Sequence, residues 1–250
     1  MKIVVIGGAG LIGSKVVTKL REHGHEAVVA DLTTGVDTLT GAGLAEAMTG
    51  TQVVIDLSNS PSFEPDAVMK FFTTSTGNLL AAESEAGVGH HLALSIVGTE
   101  RMTGSGYFDA KNAQEELIEK SGVPFSLVHS TQFYEFVPGI ADGATVDGKV
   151  HLAPVLFQPI AGEDVAEAVA RTAVGGPLMG RIEIAGPEQY RMDEFFRQAL
   201  AAWADSREVV TDPGARYFGG ALTDRSLVPD EGARLGTIGY HDWLVGAVAR

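Results

Sequence analysis

Short apolar runs alternate with helical stripes along this chain. Ile3-Val4-Val5-Ile6 is continuous and apolar, the pattern of a strand buried on both faces of a parallel sheet. Ile12, Val16 and Leu20 then recur every fourth residue, which predicts an amphipathic helix that Gly24 ends. The same reading predicts a strand over 27–30, a short helix over 44–48, a strand over 53–55 and a long helix over about 66–86. A strand over 92–97, a helix over 110–120 and a strand over 125–128 follow. This β-then-α alternation predicts an α/β fold with a doubly wound parallel sheet and right-handed crossovers.

After about Ser130 the texture changes. Pro138, Pro154 and Pro159 interrupt the pattern. A helix over 164–173, a strand over 182–184 and a helix over 193–203 follow, and 211–239 reads as loop-rich. Ligands of open α/β sheets sit beyond the carboxyl ends of the strands. The late segments, mainly 133–160 and 205–240, are therefore expected to form a small C-terminal substrate-covering subdomain within a single domain, 1–250.

Composition narrows the chemistry. The net charge is −14, which disfavours a partner with a phosphate backbone and argues against nucleic acid. The chain has no cysteine, so thiolate nucleophiles, disulfides and cysteine-ligated metals are excluded. The apolar stretch from Ile3 to Gly13 is broken by glycines and is shorter than the ~17 residues a bilayer span needs. The expectation is a soluble, cytoplasmic protein with no membrane partner; a homo-oligomer stays open. His90 and His91 are adjacent on a strand and point to opposite faces, so they do not share a metal, and no metal site is expected.

There are 31 glycines, enough that a G-x-x-G-x-x-G spacing arises by chance about half the time. Position carries the signal instead. Gly7, Gly10 and Gly13 leave the first strand and open the first helix. Such a turn brings backbone close to a pyrophosphate, and the helix N-terminus at Leu11, Ile12 and Gly13 offers N–H donors. Asp31 follows the second strand, where an acidic residue bonds the ribose hydroxyls of a dinucleotide. A carboxylate there repels a 2′-phosphate by up to about 4 kcal/mol, so NAD(H) is favoured, with NADP(H) kept open.

Tyr107 and Lys111 form Y-x-x-x-K at the start of a helix, a pairing expected by chance only about 0.14 times. The i,i+4 spacing puts both side chains on one face. A neighbouring ammonium is expected to draw the phenol down from its ordinary ~10 toward working range. Ser95, at the end of its strand, is the candidate to bond a substrate carbonyl, with Thr99 competing.

With GGAGLIG after the first strand, Ser95, Tyr107 and Lys111 resemble the short-chain dehydrogenase/reductase superfamily. The segments HSTQFYEF (129–136), QPIAGEDVAEAVA (158–170) and AGPE (185–188) are similar to its atypical, NmrA-like branch. The resemblance implies a Rossmann-type fold and hydride transfer between a nicotinamide and a carbonyl-type small molecule. It implies Tyr107 as acid/base, Ser95 as carbonyl orienter and Lys111 as ribose anchor. It places Leu57, Ser58 and Asn59 beside the cofactor, and Thr131 to Phe133 near its nicotinamide end. Val97, Tyr107, Phe133, Phe136 and Tyr217 are the candidates to line the substrate side. One departure stands out: the residues from Asp31 to Thr40 are too few for a full helical crossover and a further strand. Two other readings remain, a non-catalytic dinucleotide sensor and a nucleotide-sugar epimerase or dehydratase.

Overall fold

The computed structural model describes residues 1–102 and 104–248. Its first strand, β1 (Lys2–Ile6), is buried at each of its four apolar residues. It leads through a glycine turn into α1 (Leu11–Glu22), which buries Ile12, Val16 and Leu20 as the spacing requires. Then come β2 (Glu26–Ala30), the short α2 (Leu44–Met48), β3 (Val53–Asp56), α3 (Pro65–Ala86), β4 (His90–Ile96), α4 (Gly106–Lys120) and β5 (Phe125–Ser130). The rest runs α5 (Val137–Gly143), β6 (Thr145–Val146), β7 (Lys149–Leu152), β8 (Leu156–Phe157), α6 (Gly162–Val174), β9 (Gly180–Ala185), β10 (Tyr190–Arg191), α7 (Met192–Ala202), β11 (Val209–Thr211), β12 (Arg234–Leu235) and α8 (Tyr240–Val248).

The central sheet has seven strands in the order β12-β9-β5-β4-β3-β1-β2. β1 pairs in parallel with β2 on one side and β3 on the other, so the strand order reverses beside β1. Among the described residues, only β2 lies beyond β1. Between β2 and α2 the chain makes a single 3-10 turn, Leu32–Thr34, capped by Asp31, in place of a crossover helix and further strand.

Contacts gather the chain into two compact units. The first holds Met1–Ser95, Gly106–His129 and Val165–Ile182, and the second holds the other described residues, including 133–160 and 205–240. In the first unit, Val4, Ile6, Ala30 and Val54 pack with Leu44, Met48 and Leu79. Leu80, Ala93, Ile118, Phe125 and Leu127 form a second core. Full burial of each such large side chain contributes about 1.5–3 kcal/mol. His90 and His91 find separate partners: His90 Nε2 lies 2.8 Å from Ser126 Oγ, and His91 Nδ1 lies 2.8 Å from Glu83 Oε1. Burial works to lower the His91 pKa, but the Glu83 carboxylate outweighs it and raises the ring above its ordinary value.

The second unit differs most from the sequence expectation. Pro138 does not break a helix but sits in the first turn of α5, where its missing N–H costs no hydrogen bond. The two- to four-residue strands β6, β7, β8, β10 and β11 and the helix α8 carry too little periodicity to stand out. Aromatic rings hold this unit, with Tyr240 centred 5.1 Å from Tyr134 and 4.7 Å from Phe195. Asp164 Oδ2 accepts the Thr237 and Ile238 amides at 3.0 and 2.9 Å, fixing the segment before α8.

Candidate functional site

The glycine turn is closely fitted. Gly7 has φ +70°, and a Cβ there would lie 2.9 Å from the Leu57 carbonyl oxygen. A Cβ on Gly13 would lie 2.1 Å from Gly7 O and 2.7 Å from Gly8 Cα. The turn therefore packs backbone on backbone, against the start of α1 on one side and Leu57 on the other. No side chain caps α1. Its first amides are the donors left for an anion, with the positive end of the helix dipole behind them. This cradle, which side chains would fill, fits a dinucleotide pyrophosphate. Gly13→Ala is expected to cost about 2 kcal/mol or more through forced displacement of the turn. Thermal unfolding checks it: the midpoint should fall by several degrees.

Asp31 sits at the carboxyl end of β2 and reaches back to the same turn. Its Oδ2 accepts the Ala9 amide at 3.2 Å, and its Oδ1 accepts the Thr33 amide at 2.9 Å. The Thr33 hydroxyl, with the Thr33, Ala9 and Thr34 backbone groups, holds the carboxyl below its usual range. It stays ionised at neutral pH.

Tyr107 lies in the first turn of α4, and its hydroxyl donates to Asn59 Oδ1 at 2.9 Å. Its ring meets Phe63 and Phe72 at centroid distances of 5.6 and 6.1 Å. Burial pushes the phenol up to about 12, and the Asn59 bond only partly opposes this. The expected downward pull from Lys111 is thus corrected: desolvation of the phenolate wins. The Lys111 ammonium turns inward instead. It donates to the Leu94 carbonyl at 2.9 Å and to Gln114 Oε1, and stands 4.6 Å over the Phe72 ring. Burial lowers its pKa to about 8, against the opposing pull of Asp56 and Glu115.

Two polar chains run beneath this corner. In one, Gln114 Nε2 donates to Asp56 Oδ2 at 3.0 Å, while Asp56 Oδ1 accepts the Ser58 amide at 2.9 Å and hydroxyl at 2.6 Å. In the other, the Ser95 hydroxyl donates to Glu115 Oε1, and His129 Nε2 lies 3.1 Å from Glu115 Oε2. Burial works to raise the Glu115 pKa; His129, Ser95 and Lys111 outweigh it and hold the carboxylate ionised. The Ser95 proton is therefore committed to Glu115, which leaves the oxygen's lone pairs facing elsewhere. Sequence reasoning missed Asp56, Gln114, Glu115 and His129. Their signals were present: Gln114 and Glu115 follow Lys111 at i+3 and i+4, and Asp56 and His129 interrupt apolar strands at their carboxyl ends.

The first unit thus brings Gly7, Gly10, Leu11, Ile12, Gly13, Asp31, Leu57, Ser58, Asn59, Tyr107 and Lys111 into linked contacts. Ser95 lies in the same unit, turned to Glu115, and the other candidates belong to the second unit. There Val97 is fully enclosed, Thr131 donates its amide to Ile184 O at 3.0 Å, and Phe133 stacks on the exposed Phe136 at 5.0 Å. Tyr217 is buried and meets the ring of Phe218 at 4.9 Å; Thr99 is buried in the 3-10 turn after β4. Among the described residues, no three His, Asp or Glu side chains are grouped to hold a metal ion, and no helix is long and apolar enough to cross a membrane.

Strand order, its reversal beside β1 and the glycine turn define a Rossmann-type α/β fold. Solved structures share it over the whole chain. A dTDP-glucose 4,6-dehydratase from Streptomyces venezuelae with NAD bound matches with TM-score 0.75 at 18% identity, over 100% of this chain and 96% of that one. A dTDP-4-dehydrorhamnose reductase from Clostridium acetobutylicum matches at 0.73 and 15%, over 100% of both chains. The Thermus thermophilus UDP-glucose 4-epimerase in complex with NAD matches at 0.67 and 19%, over 100% and 94%. At these identities the likeness is one of fold. No protein-family model and no curated protein matches the chain.

Proposed function

We propose that the chain is an NAD(P)-dependent oxidoreductase of the short-chain dehydrogenase/reductase superfamily, of its NmrA-like branch. It reduces a ketone, quinone or enone with Tyr107 as the acid. One observation carries this reading: the segment Leu57–Asn59 joins the two halves of the site, its Leu57 carbonyl against Gly7 and its Asn59 side chain on the Tyr107 hydroxyl. A phosphate cradle and a positioned phenol are thereby held together by three residues. When bound, the cofactor supplies the hydride. Tyr107 gives its hydroxyl proton to the carbonyl oxygen as the alcohol forms, and solvent restores it. A phenol at about 12 is fully protonated at neutral pH, so it serves as an acid and only rarely as a base. Lys111 acts at one remove, its ammonium over the face of Phe72, itself in ring contact with Tyr107, and holding the Leu94 carbonyl.

Asp31 favours NAD(H). Asp31→Ser is expected to shift the NADPH/NADH ratio of kcat/KM by at least about tenfold toward NADPH, because a carboxylate near a 2′-phosphate costs several kcal/mol. An unchanged ratio would remove Asp31 from the ribose site. The overall reading is tested by NADH and NADPH oxidation against a panel of ketones, quinones and enones. NADH binding with no oxidation across the panel would favour a dinucleotide sensor. The fold neighbours support a second reading, an epimerase or dehydratase acting on a sugar nucleotide. Conversion of UDP-glucose or dTDP-glucose without net NADH consumption would select it.

A further inference from the structure

The segment from Asn59 to Pro65 does more than hold the phenol. Asn59 bonds the Tyr107 hydroxyl at its start. At its end, Pro65 lies so close to Gly106 that a Cβ on that glycine would stand 2.6 Å from Pro65 Cβ. Between these two anchors, Phe63 brings its ring to 5.6 Å from the Tyr107 ring at 47°, while 56% of it stays exposed. A largely exposed phenylalanine beside a partly buried tyrosine presents apolar ring surface next to the acid. The opposite ring neighbour, Phe72, is fully buried, so the exposed side of the pair is Phe63 alone among the two. Glu64, Asp66 and Asp109 are exposed in the adjoining residues and first turns of α3 and α4.

Resting on the oxidoreductase reading above, we infer that Phe63 is a specificity-determining residue. It stacks on a flat, uncharged, unsaturated carbonyl compound such as a quinone and seats it against Tyr107. A sugar diphosphate is disfavoured there by the apolar ring. An aromatic ring gains from offset or tilted contact with another ring beyond simple burial, so loss of Phe63 should weaken a planar ligand more than an aliphatic one.

The test uses 1,4-naphthoquinone. The chain has no cysteine, so the quinone meets no thiol. Calorimetric titration into protein saturated with oxidised NAD gives a dissociation constant with no turnover. Phe63→Ala is expected to weaken it about three- to tenfold and Phe63→Trp to restore it. With NADH, the kcat/KM ratio of 1,4-naphthoquinone to butane-2,3-dione should fall by the same factor in Phe63→Ala. The inference is overturned if Phe63→Ala binds the quinone as wild type does, loses both substrates equally, or loses NAD affinity by the same factor. Absence of turnover with quinone binding that still depends on Phe63 overturns the oxidoreductase reading and retains the site. Turnover with Phe63-independent binding does the reverse.

Discussion

Tyr107→Phe should lower kcat for carbonyl reduction by about 10²–10⁴-fold while leaving NADH affinity within about twofold. The substitution removes one atom, the one that carries the transferred proton. The ring contacts with Phe63 and Phe72 remain. Asn59 loses a donor, but it is exposed and water replaces the bond at little cost. Steady-state rates, NADH fluorescence titration and thermal unfolding separate the three effects. A variant that keeps most of its turnover would remove Tyr107 from the acid role, and one that loses NADH binding would make it a cofactor contact.

The second large effect concerns Lys111. In the unfolded chain this lysine holds its proton up to about 10.5, and in the folded one burial releases it at about 8. Between those values the unfolded state binds more protons, so this group makes stability rise with pH across the window. The full gap corresponds to about 3 kcal/mol. Lys111→Met should erase that rise. Urea unfolding at pH 7.5, 9 and 10, taken as the difference between wild type and variant, isolates it. Below pH 8 the variant gains an apolar fit over Phe72 but leaves Asp56 and Glu115 without their shared cation, so its activity should drop even where it folds. Parallel stability profiles in the two proteins would place the lysine's titration in the solvent range.

The first unit was largely legible because its strands are enclosed on both faces. β1 and β3 carry the apolar runs Ile3–Ile6 and Val53–Ile55, β5 is apolar at Phe125, Leu127 and Val128, and α1 shows its stripe at Ile12, Val16 and Leu20. The missing crossover was legible too, since ten residues cannot build a helix and a strand. The second unit was not. β10 pairs Tyr190 with Phe157 and β11 pairs Val209 with Val150, so those strands owe their existence to distant partners. At the site, the i,i+4 spacing of Tyr107 and Lys111 placed them on one helix but said nothing of what they face. Ser95 points to Glu115 of α4, and Lys111 points inward beside Gln114, which bonds the buried Asp56 of β3. A single sequence marks those carboxylates only as polar residues out of place.

The narrow side of the sheet has a consequence for anyone redesigning cofactor preference. With only β2 beyond β1, Asp31 stands close enough to Ala9 to hold the glycine turn directly, at 3.2 Å. One carboxylate therefore carries two duties, the recognition of the ribose proposed above and the tethering of the loop that receives the phosphates. Exchange for a basic or neutral residue alters both at once, and the gain for a 2′-phosphate is offset by a loosened turn. A successful swap needs two changes, one to read the new group and a second acceptor to keep Ala9 in place.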